Sequence, residues 1–228
     1  MFNLSNLSKA IILIGMSTVA QADIQTSASV LGSTNNTLRG NTITDNDLGL
    51  GFSASVKDSV RGLFGTYDLN TVSLKERKAN MLHIVSGGIQ KNVLSVPVSA
   101  GYRIYSYSGS NDLGKASDLN FGEAFISTTI YGVSAEYSKT LDSSVLNNSK
   151  DSYARIGYGS AYSGYNISGG ISKDWYNKRN TSGTSYDISV AKDLTKNITV
   201  VAKYDITGND SLGVNRKNQF SITSSYKF

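Results

Sequence analysis

The sequence predicts an all-β protein, a transmembrane antiparallel up-and-down β-barrel of about twelve strands. Three observations predict it. Strand-length segments alternate apolar and polar residues along most of the chain, the period-2 signature of a strand with two different faces. The connections between them run long, then short, as a meander with both ends on one side of a membrane requires. The chain ends on "FSITSSYKF", where Phe220, Ile222, Tyr226 and Phe228 alternate with Ser221, Thr223, Ser225 and Lys227. The last residues of a soluble domain usually fray, so an oily strand face that reaches the final residue points to a surface other than a protein core.

The elements follow in order. The opening "MFNLSNLSKAIILIGMSTVAQAD" has a positive residue, Lys9, then the apolar stretch "AIILIGMSTVA", then Ala20-Gln21-Ala22. That reads as a secretory signal over residues 1–22, cut before Asp23 and too short to span a bilayer as a helix. The barrel is expected over 23–228. Its twelve segments start at Asp23, Asp47, Val60, Ala79, Val93, Asp118, Gly132, Ser152, Gly164, Ser185, Asn197 and Arg216. The fifth alternates cleanly, with Leu94, Val96, Val98, Ala100, Tyr102 and Ile104 opposed to Ser95, Ser99, Gly101, Arg103 and Tyr105. In the eleventh, Ile198, Val200, Ala202, Tyr204 and Ile206 oppose Thr199, Val201, Lys203, Asp205 and Thr207.

The tight connections are "KDS" at 57, "QKN" at 90, "YG" at 131, "AYS" at 161 and "TKN" at 195. The longer ones are "STNNTLRGNTITDN", "NTVSLKERK", "SGSNDLGKAS", "DSSVLNNSKD", "NKRNTSGT" and "TGNDSLGVN". Short turns on the periplasmic side, longer loops outside and an even strand number are the habit of bacterial barrels. A small, polar strand face cannot build a dry interior. The pattern is therefore read inside out, with oily residues toward lipid, polar residues inside, and closure removing every backbone edge. The rival is a soluble sandwich or lipocalin-like barrel, which would need large apolar residues on its inner face.

Composition narrows the function. The chain has no cysteine, one proline, 22 glycines and 14 tyrosines, so there is neither a disulfide nor a thiolate site. Of the 22 basic residues the signal removes only Lys9, against 17 acidic ones. That small positive surplus does not argue for nucleic acid. No cofactor or metal is expected. "GSNDLGKA" at 109–116 nearly spells a phosphate-binding loop, but Ala116 replaces the metal-binding hydroxyl and no strand–loop–helix frame surrounds it. "DNDLG" at 45–49 has the start of a calcium loop, but Val56 stands where the bidentate glutamate belongs. A hairpin loop is the better account, with weak cation binding by Asp45 and Asp47 left open.

His83 is the only histidine. A hydrolase would need a serine beside it, but Ser86 lies three residues on and points to the opposite face of a strand. A serine from another strand is the remaining route. Otherwise His83 faces the lumen, with Leu82 and Ile84 toward lipid. Charges fall mid-strand on the polar faces at Arg103, Glu123, Glu136, Arg155, Asp187, Lys203 and Asp205. An Arg or Lys facing lipid at mid-membrane costs about 2–4 kcal/mol, whereas inside a wet lumen it costs little and selects ions or solutes. These residues either line a channel or pair into a network that plugs it. Tyr102, Tyr137, Tyr158, Trp175, Tyr204, Tyr226 and Phe228 are expected as aromatic girdles at the two membrane boundaries. The basic pieces "KERK" at 75–78, Lys178-Arg179 and Arg216-Lys217 would face outward, either toward lipopolysaccharide phosphates or simply toward solvent.

The ending on Phe228, with Tyr226, Ile222 and Phe220 behind it, resembles the C-terminal signal of bacterial outer-membrane barrels. That likeness implies recognition by the barrel-insertion machinery. "LRGNTITDND" at 38–47, "DLNFGEAF" at 118–125 and "GVSAEYS" at 132–138 resemble the TorF-type porin family. Those proteins carry an Arg-Gly followed by a Thr/Asp/Asn stretch, here Arg39-Gly40, and an aromatic-Gly-Glu, here Phe121-Gly122-Glu123. Where an aromatic would precede the Arg-Gly, this chain has Leu38. The resemblance implies passive transport and places Arg39 in the upper lumen. The porins for small acidic sugars have a similar length and strand count but share no motif with this chain.

The expected protein is thus a non-enzymatic outer-membrane porin, in which small hydrophilic solutes diffuse through a narrow polar lumen. The alternatives are a plugged barrel acting through its outer loops, structurally or in adhesion, and an outer-membrane hydrolase.

Overall fold

The computed structural model describes residues 23–39, 41–44, 47–74, 79–109, 120–143, 151–176, 181–207 and 218–228. The expected signal at 1–22, the basic pieces at 75–78, 178–179 and 216–217, Gly40, Asp45 and most of the 109–116 loop lie outside the described residues.

In chain order the strands are β1 (Ile24–Ser33), β2 (Thr37–Leu38), β3 (Asn41–Thr42), β4 (Gly49–Asp58), β5 (Leu63–Leu74), β6 (Ala79–Val93) and β7 (Val96–Ser108). They continue as β8 (Phe121–Ile130), β9 (Val133–Ser143), β10 (Ser152–Tyr162), β11 (Tyr165–Tyr176), β12 (Thr181–Asp193), β13 (Ile198–Thr207) and β14 (Gln219–Lys227). Twelve of them close into one antiparallel barrel in which each strand pairs with its sequence neighbours and β1 pairs with both β4 and β14. β2 and β3 form a separate two-stranded hairpin in the connection from β1 to β4.

Closure is secured at the chain ends. Ser29 to Ser33 pair with Lys227 to Thr223, and the Phe228 N–H donates to the Ala28 carbonyl at 3.0 Å. The Asn197 amide also donates to the Lys227 carbonyl at 2.7 Å. No edge is left for hydrocarbon to desolvate.

The outward face is bare and apolar. Ile126, Ile156, Ile171, Ile188, Val190, Ile206, Phe220 and Ile222 are all exposed there. A contiguous apolar belt of this kind is not tolerated on a soluble monomer. Inward positions around the barrel carry small hydroxyls, which bond across strands as Ser27 to Ser55 at 2.8 Å and Ser168 to Ser189 at 2.8 Å. The inside-out reading holds, and the lipocalin-like alternative does not.

Three of the short turns put both central residues at positive φ, the geometry that matches strand twist. They are Tyr131-Gly132 (48° and 84°), Ser163-Gly164 (50° and 77°) and Leu94-Ser95 (51° and 68°). The last corrects an expectation. "QKN" at 90 is not a turn, because β6 runs through it to Val93 and reverses at Leu94-Ser95. Leu94 is therefore a bare turn residue, not part of a strand's oily face. Two side-chain-bearing residues in the left-handed region are costly. Replacing Leu94-Ser95 by Asn-Gly should stabilise the barrel by about 1 kcal/mol. The check is a higher urea midpoint for unfolding from lipid vesicles; an unchanged or lower midpoint would contradict it.

Candidate functional site

The interior is organised by a feature that alternation alone does not predict. The β2–β3 hairpin folds inward and touches the wall around almost its whole circumference. At its base the Asn35 amide donates to Gln219 of β14 at 2.9 Å, and the Thr37 hydroxyl donates to Asp205 of β13 at 3.2 Å. On the other side Ile43 joins a buried apolar cluster with Val72 of β5, Ala79 and Leu82 of β6 and Tyr105 of β7. Leu38, Ile84, Tyr107 and Phe121 pack against that cluster, and Tyr105 stacks on Phe121 at 4.2 Å. The outer half of the lumen is therefore partly apolar, contrary to the expectation of a uniformly small and polar lining.

Arg39 sits at the hairpin tip with φ 52°. Its Nη2 donates to both Glu123 oxygens of β8 at 2.6 Å and to Ser138 of β9 at 3.3 Å. Its Nη1 lies 3.8 Å from Asp174 of β11, and the guanidinium lies 4.2 Å from the ring centroid of Tyr153 on β10. Burial pulls its pKa down, but Tyr105, Glu123 and Asp174 outweigh this and raise it above the ordinary arginine value. A half-buried guanidinium held by two carboxylates and an aromatic face is the strongest anchor the hairpin has.

The other mid-strand charges also meet inside. Arg103 reaches Glu136 at 3.2 Å and lies 4.7 Å from the Phe125 ring centroid. Arg155 makes a bidentate contact with Asp187 at 2.8–2.9 Å, and Lys203 reaches Asp205 at 2.7 Å. The structure thus brings Arg39, Arg103, Glu123, Glu136, Arg155, Asp187, Lys203 and Asp205 to the interior, each within an ion pair. Sequence reasoning missed Asp174 as a partner of Arg39, and missed Lys57. Lys57 lies on the inward face of β4 and donates to Gln90 at 2.6 Å.

His83 is a correction. Leu82 is fully buried in the interior cluster and Ile84 packs on it, so alternation turns His83 outward. There its Nδ1 meets the Tyr67 hydroxyl at 3.0 Å and its Nε2 meets Ser108 Oγ at 3.2 Å. The serine comes from another strand, β7. The third partner is a phenol, where a catalytic histidine is ordinarily oriented by a carboxylate or amide.

The expected girdle residues Tyr102, Tyr137, Tyr158, Trp175, Tyr204, Tyr226 and Phe228 all stand exposed. Two lysines lie beside aromatic rings near opposite ends of β11. Lys173 Nζ is 5.4 Å from the Trp175 ring centroid, and Lys192 Nζ is 4.5 Å from that of Tyr165. Long basic side chains reach membrane boundaries in this way.

A closed barrel, apolar outside, largely polar and charged within, and narrowed by an inserted hairpin, is an outer-membrane β-barrel. No protein-family model matches the chain, and no curated protein matches it. Solved structures do. A KdgM porin in complex with disordered oligogalacturonate superposes with a TM-score of 0.60 at 9% identity, covering 89% of this chain and 99% of that one. Outer membrane phospholipase A from Escherichia coli gives a TM-score of 0.53 at 12% identity, covering 92% of each chain. At such identities the likeness is one of fold.

Proposed function

We propose that this protein is an outer-membrane porin in which small hydrophilic solutes diffuse passively past the inserted hairpin. The observation that carries the reading is the lining below the hairpin. Serine and threonine hydroxyls, the Gln90 amide and the charges of Lys57 and Arg103 stand there with the rings of Phe64 and Phe125 around a recess of about 270 Å³, where a structural barrel would pack apolar side chains throughout. The TorF-type resemblance is the finer form of this proposal, since Arg39 and Glu123, from its two motifs, form one ion pair. Export by a signal at 1–22, recognition of Phe228 by the insertion machinery and contact of the basic outer loops with lipopolysaccharide belong to the same reading.

One observation favours a second reading, the plugged barrel. The hairpin is anchored to β14, β13, β11, β10, β9, β8 and β7 at once. Planar-bilayer recording separates the two. A porin gives discrete openings in potassium chloride at low voltage, and a plug gives none at any voltage. The hydrolase reading rests on His83 and Ser108 and is tested in the same preparation. His83→Ala should leave conductance unchanged, and any ester hydrolysis by the purified protein should survive it. Loss of hydrolysis in that variant would overturn the non-enzymatic reading.

A further inference from the structure

The recess on the β4–β8 wall has a chemistry of its own. Among the lining side chains are Lys57, Gln90 and Arg103, the rings of Phe64 and Phe125, and hydroxyls such as Ser86 and Ser127. The lining holds two cations and no carboxylate; Arg103 is paired with Glu136, beside the lining, so the net positive charge comes from Lys57. Asp68, the inward carboxylate of β5, is paired in register with Ser53 and Ile84 and does not belong to it.

Hydrogen-bond accounting sharpens the point. Lys57 Nζ gives one bond, to the Gln90 carbonyl oxygen Oε1, and has no ion pair among the described residues. Its remaining N–H groups and the Gln90 amide N–H groups have no acceptor among the described residues. Arg103 uses only Nη1, for Tyr105 at 3.2 Å and Glu136 at 3.2 Å, so its Nε and Nη2 donors are also unused among the described residues. A site rich in unused donors, with a net positive charge, is complementary to an anion that brings its own acceptors.

The rings say what kind of anion. Phe64 and Phe125 lie 6.3 Å apart, tilted by 50°. They fit because the wall beside them is bare. A Cβ at Gly88 would stand 2.9 Å from Phe64 Cζ, and one at Gly101 3.0 Å from Phe125 Cζ. Apolar ring faces beside hydroxyls and a cation pair suit a compact solute with a C–H face, several hydroxyls and one carboxylate.

We infer that the Lys57–Arg103 recess is a binding site for small hydroxylated organic anions of the sugar-acid class. The inference deepens the porin reading by naming a solute class, and it rests on that reading only for the transport role.

The test uses the full barrel in detergent micelles and in planar bilayers, with glucuronate as probe, glucose as the same ring without the carboxylate, and acetate as the carboxylate without the ring. Saturation-transfer NMR should detect glucuronate well above glucose and acetate. Lys57→Gln should weaken glucuronate binding about tenfold, while Lys192→Gln, on the outer face, leaves it unchanged. In bilayers, millimolar glucuronate should reduce the potassium chloride current of the wild type and not of Lys57→Gln. Equal signals for glucuronate and glucose, or binding indifferent to Lys57→Gln in a barrel that keeps its heat-modifiable gel shift, would overturn the site. Binding as expected without any conductance would leave the site standing and remove the porin reading.

Discussion

Glu123→Ala should open the lumen, and the expected single-channel conductance is several times that of the wild type. Glu123 is 1% exposed and takes both of its contacts with Arg39 at 2.6 Å. Removing one partner of a fully buried pair costs about 3–5 kcal/mol; with Asp174 and the Tyr153 face still beside Arg39, the loss falls at or below the low end of that range. The hairpin has little to absorb that loss. Each of its strands is only two residues long, and a two-stranded hairpin is at best marginal on its own. Its position depends on wall contacts, and Arg39 supplies the most concentrated of them. Without Glu123, the guanidinium is drawn toward solvent and carries the tip with it. The barrel itself should persist, since its ladders do not pass through the hairpin.

The effect should also be reversible by chemistry. Thr37 Oγ1 lies 3.2 Å from Asp205 Oδ2, and the chain has no cysteine of its own. In a Glu123→Ala background, a Thr37→Cys and Asp205→Cys pair should restore low conductance on oxidation and high conductance on reduction. Conductance unchanged in Glu123→Ala would mean that the hairpin does not govern passage.

The places where sequence and structure part company have physical causes. The wall was legible because β7, β13 and β14 have one mainly apolar and one mainly polar face over most of their length, which fixes their orientation. The stretch "NMLHIVS" of β6 offers no such choice. Met81 and Val85 compete with Leu82 and Ile84, and alternation is equally good either way. What decides it is Ile43, from a loop some forty residues earlier, which needs an apolar partner inside. The hairpin was hidden for a related reason. "STNNTLRGNTITDN" has no period, and its signals were two isolated apolar residues, Leu38 and Ile43, in an otherwise polar loop. The pairing of Arg39 with Glu123 joins residues 84 apart in sequence. Alternation puts Glu123 in the lumen, but only the family resemblance puts Arg39 there. The turn at Leu94-Ser95 was missed because Leu94 carries no turn chemistry and Ser95 only a weak one, while Asn92 in the polar "QKN" just before it is a stronger signal.

The claim on which the site depends is that lipid, not water, wets the outside. Ile188→Arg tests it directly. Ile188 lies mid-way along β12 and is 53% exposed, paired in register with Tyr204 and Gly169. On a water-facing surface, exchanging an exposed isoleucine for arginine would be neutral or favourable. At mid-membrane on the lipid face it should cost about 2–4 kcal/mol. The control is Ser27→Arg. Ser27 points inward opposite Ser55, on a ladder row that continues through Thr66 and Ser86 to Arg103. An arginine is already accommodated on that row, and a second should cost little. Equilibrium unfolding of both variants from vesicles gives the two numbers, and their difference matters more than either value. A large penalty at Ile188 with a small one at Ser27 requires hydrocarbon outside and water within. The reverse order would place water around the cylinder, and the lumen, the hairpin and the Lys57–Arg103 recess would then have no transport role to play.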